Sequence, residues 1–92
     1  MDIHRMFDKP LFWDADTIDP QEHAAYVISR VIDFGDFDDI AVLHRLYDDA
    51  TIARVVRTRR GLDPKTGKYW ALRLGIPFDE VACLRKYYPP KP

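Results

Sequence analysis

A chain of 92 residues with 47% apolar and 13% aromatic side chains can build one small core without disulfides. Its net charge of −1 conceals a segregation: residues 1–50 hold twelve acidic and four basic side chains, residues 51–92 three acidic and ten basic. The lone Cys83 excludes a disulfide framework, the apolar runs fall far short of the ~20 residues of a membrane span, and the N-terminus lacks the order of a signal peptide, so a soluble cytoplasmic domain is expected.

Residues 1–18 read as an N-terminal arm, with Lys9-Pro10-Leu11-Phe12-Trp13-Asp14 held extended by its proline. A first helix starts at Asp19, a good N-cap, with Pro20 at the first helical position and Glu22 three residues on as a capping-box partner. Ala24, Val27, Ile28, Val31 and Phe34 follow at helical spacing, and Gly35 stops the run. Asp36 caps a second helix whose stripe is Ile40, Leu43 and Tyr47, with Val42 and Leu46 beside it. Asp48 caps a third, carrying Ile52, Val55 and Val56 and ending near Arg60-Gly61.

Asp63-Pro64 repeats the cap-then-proline start, so a fourth helix is expected from Pro64 to Leu74, closed by Gly75 and Pro77. Gly67 inside it costs up to ~1 kcal/mol relative to alanine and loosens the first turn. A last short helix, about 78–87, carries Val81, Leu84 and Tyr88 on one side, and residues 89–92 form an extended tail. No segment alternates as a strand does. The expected fold is all-α: a compact bundle of about five short helices over residues 19–88, with an extended arm and a candidate helix-turn-helix.

Catalytic chemistry finds no constellation in the chain. His4, His23 and His44 are scattered and lack metal-ligand spacing, and adjacent acids such as Asp38-Asp39, Asp48-Asp49 and Asp79-Glu80 diverge by about 100° around a helix. These acids suit helix first turns, where carboxylates meet the positive helix end. Cys83 sits in an apolar stretch, as an inert core thiol does. Neither enzyme activity, cofactor nor metal is expected.

Two binding readings remain. In the third helix Arg54, Arg57 and Arg60 lie opposite the apolar face, and with Lys65 and Lys68 they make a basic surface suited to DNA if the helix is the reader of a helix-turn-helix. Asp36, Asp38, Asp39, Asp48 and Asp49 oppose that reading, since they would stand beside the phosphate backbone, and they suit a basic protein groove instead. Arg59 projects with Ile52 and Val56 on the helical wheel, toward the core side, with Asp14 or Asp16 as a pairing acid. Asp63 as N-cap places a carboxylate where a phosphate would bind, which favours a structural cap. Aromatic side chains that stay exposed beside arginines would anchor a protein interface, Trp13 and Arg59 included.

In order along the chain stand Leu11-Phe12-Trp13-Asp14, Gly35-Asp36, Arg59, Pro64-Lys65-Thr66, Tyr69-Trp70, Gly75-Ile76-Pro77 and Cys83-Leu84-Arg85. Over about residues 11–86 this order resembles a small family of bacterial domains often encoded beside nucleotidyltransferase-like toxin genes of the AbiEii type. One departure is Tyr69, where phenylalanine is the commoner residue of that pattern. The resemblance implies an antitoxin-like partner of such an enzyme and brings no catalytic residues with it. The expected function is therefore a non-enzymatic interaction module that binds and restrains a nucleotidyltransferase-type toxin. The alternative is a helix-turn-helix regulator that binds DNA, its own operon included.

Overall fold

The computed structural model describes Phe7, Asp19 and residues 21–89. Among them are four α-helices, α1 (Ala24–Phe34), α2 (Phe37–Leu46), α3 (Asp49–Thr58) and α4 (Pro64–Leu74), then two short 3-10 turns, Phe78–Glu80 and Ala82–Leu84. No strand occurs among the described residues, so the all-α expectation holds. The chain divides into two units, residues 1–48 and 49–92. That division falls within two residues of the place where the charge changes sign. The first unit carries eleven acidic and four basic side chains, the second four acidic and ten basic.

In the first unit α1 packs on α2. Val27, Ile28, Val31 and Ile32 of α1, Leu43 of α2, and Tyr47 after it are buried, as is Phe7 from the arm. The expected cap at Asp19 forms, its carboxylate accepting from the N–H of Gln21 at 2.9 Å. The continuous helix nevertheless begins at Ala24, a turn later than the capping pattern indicates, because His23 has left the helical region at φ −113° and ψ 38°. The complete reciprocal capping box lies one helix on. The Asp36 side chain accepts from the N–H of Asp39 at 2.9 Å, and the Asp39 carboxylate accepts from the N–H of Asp36 at 3.1 Å. Gly35 is required there for space: a Cβ would stand 2.7 Å from the Val31 carbonyl oxygen and 2.9 Å from Asp39 Cβ.

In the second unit α3 and α4 pack on each other and both pack on the Ala82–Leu84 turn. Ile52, Val55 and Val56 of α3, Trp70 and Ala71 of α4, and Leu62, Ile76, Val81 and Leu84 from the connections form its core. Helix α4 has the expected bounds, with Asp63 accepting from the Lys65 N–H at 2.9 Å and Gly75 closing it in the left-handed region at φ 71°. Gly67 has a packing reason the helix propensity scale does not contain. It is buried, and a Cβ there would meet Cys83 Sγ at 2.5 Å, so the glycine lets the 3-10 turn lie against the helix backbone. The expected helix over 78–87 is instead two 3-10 turns separated by Val81, which is fully buried and extended at φ −98° and ψ 117°. The segment's length is not the reason, since ten residues also make α2 and α3. Burying Val81 and Leu84 decides its conformation.

Three stability measurements check this account. Gly67→Ala gains up to ~1 kcal/mol of helix propensity but overpacks the core at a cost of about 1–3 kcal/mol, so urea denaturation should show net destabilisation, relieved by adding Cys83→Ala. Asp36→Ala removes the cap of α2 and should cost about 1 kcal/mol in the same assay. Burial, and secondly the negative charge of Asp19, raise the pKa of Tyr47 above its ordinary value of 10.0. The fold thus favours the neutral phenol: its contribution is complete below pH ~10 and is lost as pH rises through the raised value. Tyr47→Phe should flatten the alkaline limb of a Tm-versus-pH curve.

Candidate functional site

The corner between α1 and α2 reads Phe34-Gly35-Asp36-Phe37-Asp38. Its backbone is set by Gly35 and the capping box, and the outcome is an aromatic side chain left in water. Phe37, the first residue of α2, is 89% exposed, and Phe34, at the end of α1, is 53% exposed. The helical stripe of the sequence places Phe34 on the buried face of the first helix; the structure corrects this, since Gly35 ends the helix before Phe34 gains a neighbouring turn to pack under. Phe37 is a residue that sequence reasoning missed. Helical spacing did not signal it, since Phe37 stands three residues before Ile40 and shares its side of the helix, whereas the residues of α2 that are buried are Asp39 and Leu43.

The five aspartates assigned to one acidic face separate on inspection. Asp38 is exposed and Asp36 half-buried as the N-cap, both at the start of α2. Asp39 is fully buried, with its carboxylate turned onto the Asp36 N–H, and so leaves the surface altogether. Asp48 is exposed but follows the far end of α2, a ten-residue helix about 15 Å long. Asp49 is exposed as the first residue of α3 in the other unit. The expected face thus reduces, around Phe37, to Asp36 and Asp38. The physical reason is that each acid serves the start of its own helix.

The basic residues also sort by their surroundings. Arg54 and Arg57 are exposed on α3, and Arg57 Nε stands 3.7 Å from Glu80 Oε1. Such a half-exposed pair contributes little to stability, but it lowers the positive charge that Arg57 presents. Arg60 and Lys65 are exposed; Lys68 is half-buried, its ammonium 5.3 Å from the centre of the Tyr88 ring. Arg59 corrects the helical-wheel expectation. Helix α3 ends at Thr58, whose hydroxyl donates to the Arg54 carbonyl at 2.7 Å, and Arg59 beyond it is exposed rather than turned to the core. Its candidate partners Asp14 and Asp16, together with Trp13, Phe12 and His4, lie outside the described residues. His23 and His44 are exposed.

Tyr69, Tyr87 and Tyr88 are 53%, 58% and 37% exposed, whereas Trp70 is buried. Among the described residues no helix is long and apolar enough to cross a membrane, and no group of three or more His, Cys, Asp or Glu side chains is placed to hold a metal ion.

No curated protein and no solved structure matches the chain. A family of unknown function, DUF6922, matches residues 7–56, which is more than half of the sequence. That span holds α1, α2, the Phe37 corner and most of α3. The chain belongs to DUF6922.

Proposed function

We propose that this chain is a non-enzymatic interaction module that binds and restrains a partner protein, antitoxin-like, with a nucleotidyltransferase-type toxin as the partner. The observation that carries the proposal is Phe37, a phenylalanine 89% exposed between two aspartates on a capped, rigid helix start. An exposed aromatic ring loses little conformational entropy on docking and supplies the buried centre of a small interface, while charged neighbours form its rim. Asp36 and Asp38 match a groove that is positive. A nucleotidyltransferase needs such a groove for its anionic substrate, so carboxylates seated there would occlude it. The sequence resemblance to domains encoded beside AbiEii-type toxin genes supports the choice of partner.

The helix-turn-helix alternative rests on Arg54 and Arg60, both exposed. The ion pair between Arg57 and Glu80 weighs against α3 as a reader of base edges, because the arginine expected to meet guanine already has a carboxylate beside it.

The test is co-expression with the products of neighbouring genes, followed by purification on this chain through a high-salt wash. A stoichiometric nucleotidyltransferase is the expected result, and its absence overturns the choice of partner. With the complex in hand, Phe37→Ala should weaken binding by roughly 30-fold, a hot-spot loss of about 2 kcal/mol. Asp38→Ala should slow association more at low salt than at high salt. Arg57→Ala should leave inhibition unchanged. If Arg57→Ala instead abolishes binding to duplex DNA and Phe37→Ala changes nothing, the regulator reading replaces this one.

A further inference from the structure

The outward face of α4 is built differently from the Phe37 corner. Lys65, Lys68, Tyr69, Leu72 and Arg73 recur at the i, i+3, i+4, i+7 spacing of one helix face, while Gly67, Trp70 and Ala71 point inward and are buried. Leu72 is 74% exposed and Tyr69 53%. From residue 65 to 73 the stripe is about 12 Å long. It carries three positive charges and no acid.

Each exposed tyrosine of this unit is paired with a cation. Arg73 Nη1 donates to the Tyr69 hydroxyl at 3.2 Å, Lys68 Nζ lies 5.3 Å from the centre of the Tyr88 ring, and Lys86 Nζ lies 6.0 Å from that of Tyr87. Lys68 thereby ties the C-terminal turns to α4, so the stripe and the tyrosines of 87–88 adjoin. Exposed rings alternating with ammonium and guanidinium groups match a ligand that itself alternates flat aromatic faces with anionic groups. An acidic peptide supplies anions but has an aromatic face only where its sequence happens to place one, and an intact duplex keeps its base faces stacked inside.

We infer that the basic α4 face, with Tyr69 and the Tyr87–Tyr88 turn, binds single-stranded nucleic acid: bases stack on the tyrosines while Lys65, Lys68 and Arg73 neutralise phosphates. This surface belongs to the second unit and uses none of the residues of the Phe37 corner, so it stands or falls independently of the partner proposed above.

The test is fluorescence anisotropy of the full-length chain, freed of co-purifying nucleic acid, with a fluorescein-labelled oligothymidylate of about 12 nucleotides. Binding should weaken with salt, and Lys65→Gln and Arg73→Gln should each lower the slope of log affinity against log salt by about 0.7. Tyr69→Ala and Tyr87→Ala should each weaken binding roughly tenfold, whereas Tyr69→Phe, which keeps the ring and loses the hydroxyl, should bind as the parent does. Both tyrosines are exposed, and far-UV circular dichroism of each variant verifies the fold. Phe37→Ala should leave the affinity unchanged. No binding at low salt overturns the inference. So does a duplex of equal length binding as tightly, polyglutamate competing as well as the oligonucleotide, affinity indifferent to both alanine variants, or loss of affinity on Phe37→Ala.

Discussion

The reciprocal capping box between Asp36 and Asp39 governs the first unit. Two carboxylates satisfy two N–H groups that α2 would otherwise leave without partners at its start, at 2.9 and 3.1 Å. The bond its oxygen accepts helps to offset the burial of Asp39; a carboxylate without a donor at that depth would cost several kcal/mol. The box also brings Asp39 within 2.9 Å of where a side chain at Gly35 would stand, so the tight corner, its glycine and the buried acid form one mutually dependent set. What emerges on the outside of that corner is Phe37. Its exposure is a consequence of the turn's chemistry as much as of its own place in the helix.

The second unit solves a similar problem by different means. Its two helices are closed by a segment of 3-10 turns, which presses Val81, Leu84 and the Cys83 thiol against α4. That approach requires the absence of a side chain at residue 67. A glycine that weakens the helix locally therefore serves the unit as a whole, and the thiol has a packing role. With the inward face of α4 so occupied, its charged and aromatic residues are left together on the opposite face.

The charge division and the unit division nearly coincide. An acidic unit with a projecting phenylalanine and a basic unit with projecting tyrosines present two surfaces of opposite character. Summed charge of this kind acts over distances comparable to the Debye length, about 10 Å at 0.1 M salt, and in the two proposals made above the aromatic groups would hold the ligand after contact.

Much of the helical organisation was legible in the chain because helix ends carry local chemistry. Asp63-Pro64 and Gly75 marked α4 to the residue, Asp36 marked α2, and the spacing of Ile52, Val55 and Val56 marked the buried face of α3. The charge segregation was legible for the same reason: it is a property of sequence alone. The location of the acidic face was not. Asp36, Asp38, Asp39, Asp48 and Asp49 look alike in one dimension, and only their backbone surroundings turn Asp39 inward and put α2 between Asp38 and Asp48. Arg59 was misplaced because a helical wheel continues past the residue at which the real helix stops. The tertiary structure alone decided that residues 78–84 would be two 3-10 turns around an extended Val81, that Gly67 would receive a sulfur atom, and that Phe37 would stand in water. Those outcomes depend on what packs against a residue from elsewhere in the chain, which periodicity and capping signals, being local, do not encode.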